Sequence, residues 1–145
     1  MKDFLEQRII EAIKKLLTGQ VNVLLGDSQF SIPVIEFGGN GCGYTVAPVI
    51  SLRGCERTEK ERIVRQDVYS LTITISFPES PESELHCYAY AGAVGRAIYD
   101  NPTLGGVVDR AVITSKIFKF PKKPNCREDS ELVITLRITV EGIKK

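Results

Sequence analysis

The spacing of apolar and polar residues divides the chain into stretches of two periods. From Asp3 to about Leu17, Leu5, Ile9, Ala12, Ile13, Leu16 and Leu17 recur at three- and four-residue steps, with Glu6, Gln7, Glu11, Lys14 and Lys15 on the other side. That spacing predicts an amphipathic helix. Asp3 suits its N-cap and Gly19 its stop. A second helix is predicted from Pro81-Glu82-Ser83-Glu84 to about Tyr99, with Ser80 or Ser83 as cap. Its Ala89, Gly92, Ala93 and Gly95 form a stripe of small residues that would let another backbone approach.

Period two governs the long strands. Ile63, Tyr69, Leu71, Ile73, Ile75 and Phe77 point one way, and Gln66, Ser70, Thr72, Thr74 and Ser76 the other. Such a strand has one face in a core and one polar face. Val107 to Phe120 alternates again, with Val108, Val112, Phe118 and Phe120 on one side. Leu132, Ile134, Leu136, Ile138 and Val140 alternate with Val133, Thr135, Arg137, Thr139 and Glu141. This last strand is the cleanest, and its length suits a central place in a sheet.

Shorter pieces fill the rest. Val21 to Leu25 reads as a short strand. Gln29 to Phe37 reads as its return, kept to an edge or bulge by Pro33. Val46 to Leu52 is a further extended piece. Gly38 to Gly43 holds four glycines in six residues. It reads as a connector, because no helix start follows to make a phosphate cradle. Arg53 to Arg62 is a mixed-sign charge run, read as a solvated loop or a surface that orders against a partner. The order of elements predicts an α+β fold. Its sheet is mainly antiparallel and mixed, with two principal helices packed on one face.

Composition narrows the function classes. The 145 residues suit a single domain with a real core. A net charge of +1 gives no global attraction for nucleic acid. No apolar run approaches the roughly 18 residues of a membrane span. The acidic start (Asp3, Glu6) is unlike a signal peptide, so a cytoplasmic protein with free Cys42, Cys55, Cys87 and Cys126 is expected.

Candidate chemistry is sparse. His86 is the one histidine, and its neighbour Cys87 points about 100° away on a helix, so the two form no dyad. A surface histidine is the expectation. Cysteine spacing fits no zinc site. There is no Gly-x-Ser-x-Gly elbow, Walker loop or dinucleotide fingerprint. No catalytic, metal or cofactor residue is assigned, and a non-enzyme is expected. What a lone subunit leaves unexplained is surface: a polar strand face, a charged run and long strand edges that must be covered.

One passage carries a resemblance. Ala97-Ile98-Tyr99-Asp100-Asn101-Pro102 followed by Thr103-Leu104-Gly105-Gly106-Val107-Val108-Asp109 resembles the helix-end and Leu-Gly-Gly passage of phage tail-terminator proteins, also called tail-completion or minor tail proteins. The strands Ala111–Thr114 and Leu132–Glu141, and the opening helix with a short β segment, are similar in order. The resemblance implies a subunit that caps the tail tube as a six-fold ring, ends tube growth and offers the head-side joining surface. Its implied partners are further copies of itself as a hexamer, the tail tube protein and the head–tail connector protein. The near-neutral net charge and the lack of a long apolar run predict no specific nucleic-acid binding and no membrane partner. The implied location is the virion tail, and the host cytoplasm before assembly.

In that setting Arg53, Glu56, Arg57, Glu59 and Lys60 of the charge run, with Arg137 and Glu141 of the closing strand, are the expected assembly residues. Reversing Glu56, Arg57 and Glu59 together is expected to block assembly and spare the fold. A head–tail connector or neck subunit is the alternative, and a small cellular enzyme or ligand-binding domain a further one. In the Asn101–Arg110 stretch, Leu104 is expected to plug the core. Gly105 and Gly106 are expected to take backbone shapes closed to side chains.

Overall fold

The computed structural model describes residues 4–26, 32–37, 45–60, 64–77, 81–120 and 130–143; the side chains of 58–60, 64–65 and 142–143 fall outside that description. The elements are α1 (Leu5–Leu16), a π-helical turn (Leu17–Val21), α2 (Asn22–Gly26), β1 (Val34–Ile35), β2 (Thr45–Val46), β3 (Val49–Lys60), β4 (Val64–Phe77), α3 (Ser83–Asp100), β5 (Arg110–Lys119) and β6 (Ser130–Ile143). The fold is α+β.

The first helix buries Ile9, Ile13 and Leu16, as its spacing requires. It does not stop at Gly19. A π turn adds a residue there, and the rotated stripe continues through Leu17, Val21 and Leu25, all buried. Thr18 Oγ1 donates to the carbonyls of Lys14 (2.9 Å) and Lys15 (3.3 Å) at this turn. The segment Val21–Leu25, expected as a strand, is therefore helical. A five-residue apolar run has no period of its own and takes that of the helix it extends. Asp3, the expected cap, lies outside the described residues. Phe4 occupies the N-cap position without a side-chain bond.

Of the expected returning strand Gln29–Phe37, residues 29–31 lie outside the described residues, and within the described part Val34–Ile35 is a strand, pairing in parallel with Thr45–Val46. Asn22 holds it in place. The Ile35 N–H donates to Asn22 Oδ1 and Asn22 Nδ2 donates to the Ile35 carbonyl, each at 2.8 Å. One side-chain amide thus satisfies both backbone groups of a buried residue, as a neighbouring strand would. The phenol of the fully buried Tyr90 donates to the Pro33 carbonyl at 2.5 Å. The expected Val46–Leu52 piece is divided between β2 and β3.

The main sheet has four strands in the order β3-β4-β6-β5, all neighbours antiparallel. β4 and β5 are joined by α3 and run in the same direction, and β6 lies between them. Both central strands follow their alternation. Tyr69, Leu71, Ile73, Ile75 and Phe77 meet Leu132, Ile134, Leu136 and Ile138 under the helices, all buried. Thr72, on the other face, is also buried.

β5 departs from its expected pattern. A bulge at Thr114 flips the alternation, so Val112 sits opposite Arg137 on the open face and Phe118 opposite Leu132 on the helix face. Phe118 stacks edge-on with Tyr88 of α3, centroids 5.6 Å apart.

In α3, Glu82 is the N-cap residue and makes no side-chain capping bond, while Ser83 is the first helical residue. Ser80 lies outside the described residues, as does the Gly38–Gly43 connector. The small-residue stripe admits a side chain rather than a backbone. A Cβ at Gly95 would come 2.9 Å from Lys116 Nζ, which reaches up from β5 to donate to the Ala91 carbonyl at 3.2 Å. A Cβ at Gly92 would meet nothing within 4 Å.

The corner after α3 is as expected. Leu104 is buried and has φ 50°, and Gly105 and Gly106 have φ 73° and 91°. Hydrogen bonds to the Thr103 carbonyl from Gly106 and Val108 close the turn. Asn101 Nδ2 ties it to the π turn through Gln20 Oε1 at 2.7 Å.

Candidate assembly surface

The Arg53–Arg62 charge run is not a loop as far as it is described. Its residues to Lys60 form the outer half of β3, paired residue for residue with β4 from Gly54↔Ser70 to Lys60↔Val64. An edge strand needs few apolar residues, because one ladder and one covered face suffice to hold it. Glu59 and Lys60 are placed by that ladder opposite Arg65 and Val64.

A bulge between Leu52 and Gly54 leaves Arg53 without a ladder partner and exposed. Past it, Glu56 faces Val68 on the open face and is exposed, while Arg57 faces Asp67 on the helix side. Arg57 Nε donates to Asp67 Oδ1 at 2.9 Å; the Asp67 side chain is only 4% exposed. That bond and the carboxylate's charge raise the Arg57 pKa further. Arg57 is thus committed within the subunit, and its reversal would disturb the fold itself. Tyr69, beside it, donates to Glu6 Oε1 at 3.4 Å, and burial first, then Cys55 and Glu6, push its phenol up to about 12.

The open face gathers the remaining expected residues. Arg137 is exposed at mid-strand in β6 and shares a depression with Arg53, Cys55, Glu56, Ser70 and Thr114. Arg53 and Thr114 belong to strands at opposite margins of the sheet, so the depression crosses its full width. Glu141 lies further along, hydrogen-bonded by Gln66 Nε2 at 3.2 Å, and its own N–H donates to Asp109 Oδ2 at 2.6 Å. Arg53, Glu56 and Arg137 therefore come together; Arg57 and Glu141 are held by partners of their own.

The β5 margin is basic. Arg110, Lys116 and Lys119 are its charged residues, and a groove of about 770 Å³ against α3 is lined by Arg96, Tyr99, Arg110, Val112 and Lys116. Pattern reading missed this margin, although the absence of any acid between Arg110 and Lys119 was open to view.

His86 is buried rather than on the surface. It packs against Phe77 at a centroid distance of 6.4 Å, and its Nε2 is sealed from solvent without a hydrogen bond, 3.6 Å from Glu82 Oε2. Cys87 beside it is free and fully buried, and burial pushes its thiol up to about 11. Cys55 is free and exposed; Cys42 and Cys126 lie outside the described residues. Among the described residues no group of three or more His, Cys, Asp or Glu could hold a metal ion, and no helix is long and apolar enough to cross a membrane.

Compared with protein-family models and with curated proteins, the chain matches none.

Proposed function

We propose that this chain is a structural subunit of a phage or prophage tail, which closes with copies of itself into a ring on the tail tube. The ring ends tube growth and gives the connector protein a surface to join. One observation carries the reading. The main sheet has two long margins, β3 and β5, and no described strand pairs with the outer side of either. Unpaired edges of this length promote further association unless covered. The two margins differ in sequence and lie on opposite sides of the subunit. That is the requirement for a heterologous interface, which closes by rotation into a ring. The Leu-Gly-Gly corner, with its buried Leu104 and left-handed glycines, adds the family resemblance.

The role is geometric rather than catalytic. The virion tail, and the host cytoplasm before assembly, are the proposed locations. Light scattering with negative-stain electron microscopy tests the reading: a six-fold ring, alone or on added tail tubes, is expected. A strict monomer in both settings counts against it. Complementation of tail-defective against neck-defective phage separates a terminator from a neck subunit.

A further inference from the structure

The ladder registers define rows that cross the whole sheet. One runs Leu52–Leu71–Leu136–Ile113, and both edge bulges flank it, at Arg53 on one side and Thr114 on the other. Three rows outward come Glu56–Val68–Thr139–Arg110. Three rows the other way come Val49–Thr74–Val133–Ile117. Each row from Val49–Thr74–Val133–Ile117 to Glu56–Val68–Thr139–Arg110 therefore ends in one β3 residue and one β5 residue.

We infer that β5 of one copy pairs antiparallel with β3 of the next, in the register that continues each row unbroken from subunit to subunit. This deepens the ring reading and rests on it. β3 and β5 run in opposite directions within the sheet. A rotation about an axis along the strands preserves direction, so neighbouring margins meet antiparallel.

Complementarity selects the register. With rows level, Glu56 of one copy stands directly opposite Arg110 of the other on the open face. Both are exposed, and opposed charges across an antiparallel pair stabilise it. On the same face Val49, 66% exposed, stands opposite Ile117, 47% exposed. These exposed aliphatic side chains would cover one another. On the helix face Leu52 and Ile113, half-buried at the two rims of the core, would close the gap between them. A slip of two residues leaves sheet faces unchanged but breaks both open-face matches. Ile117 then meets Ser51 or Ala47, and Arg110 meets Gly54 or Thr58.

Cysteine cross-linking tests this. Opposed residues in an antiparallel pair have Cα atoms ~4.5–5.5 Å apart, within the ~4.4–6.8 Å a disulfide spans. In a chain with Cys42, Cys55 and Cys126 changed to Ser, V49C/I117C is expected to give a ladder on non-reducing gels that ends at the ring. V49C mixed with I117C should stop at a dimer, and neither single variant should ladder. Reciprocal charge reversal is the second arm. E56R alone and R110E alone should lose the ring by light scattering, and E56R/R110E should regain it. A ring that forms but links only through V49C/S115C or V49C/K119C overturns the register while the ring reading survives. A folded chain with neither ring nor cross-link, with or without tail tubes, overturns both.

Discussion

Arg57 on β3 and Asp67 on β4 occupy opposed positions of one ladder and are joined by a 2.9 Å bond from Nε to Oδ1. The carboxylate is buried and the guanidinium largely exposed, so the two ends differ in consequence. Asp67→Ala removes the buried acceptor and is expected to destabilise the chain by about 1–3 kcal/mol. Arg57→Ala should cost less, since water can reach part of the space vacated. Urea denaturation of both variants checks the order; equal midpoints would refute the asymmetry.

Asn22→Ala strips both backbone groups of Ile35 of their shared partner. A loss of about 1–3 kcal/mol is expected. Hydrogen exchange should locate it: the Ile35 amide loses protection in the variant, while the amides of β6 retain theirs.

Two glycines should respond with opposite sign. Gly106 has φ 91°, so Gly106→Ala is expected to destabilise by about 1–2 kcal/mol. Gly92 lies inside α3 with nothing within 4 Å of an added Cβ, so Gly92→Ala should stabilise the isolated subunit by about 0.5–1 kcal/mol. Thermal unfolding of the pair reads both signs.

Alkaline pH should weaken the fold in a defined window. Cys87 has a folded pKa raised from 9.0 to about 11 by burial. Above about 9 the unfolded chain gives up this proton while the folded chain keeps it, so stability falls as pH rises from 9 to 11. Cys87→Ala is expected to show a shallower fall across pH 9–10, before the buried Tyr69 and Tyr90 phenols add the same sign above 10. Urea midpoints against pH decide it; parallel curves would assign the effect elsewhere.

The central strands were legible because alternation over ten or more residues has no competing explanation. Every Leu and Ile from Leu132 to Ile138 on the helix face is buried as its position requires. What escaped has physical causes. Edge strand β3 is stabilised by one neighbour and carries charge where a central strand cannot, so Glu56 to Lys60 looks like loop. The π turn at Leu17–Val21 depends on one inserted residue, which no helical period announces. The Thr114 bulge likewise reverses faces without changing composition. His86 is buried and packs against Phe77 of β4, a tertiary contact that its own neighbours in sequence do not carry. Of the residues expected at an assembly surface, Arg53, Glu56 and Arg137 share one depression on the open face. Position along the chain could not reveal that Arg57 already has a partner, or that Arg110 shares a row with Glu56.

The insertion of β6 between β4 and β5 has a temporal meaning. During synthesis β3, β4, α3 and β5 all emerge before the strand that joins them. Until then β5 has no ladder neighbour, and a growing chain does not possess the two finished margins that would bind a sister copy. Under the proposed pairing of margins, polysomes carrying many such chains close together would be kept from linking them prematurely. Ribosome-stalled chains ending before Ser130 should accordingly fail to capture finished subunits in a pull-down, whereas chains released after Ile143 should capture them.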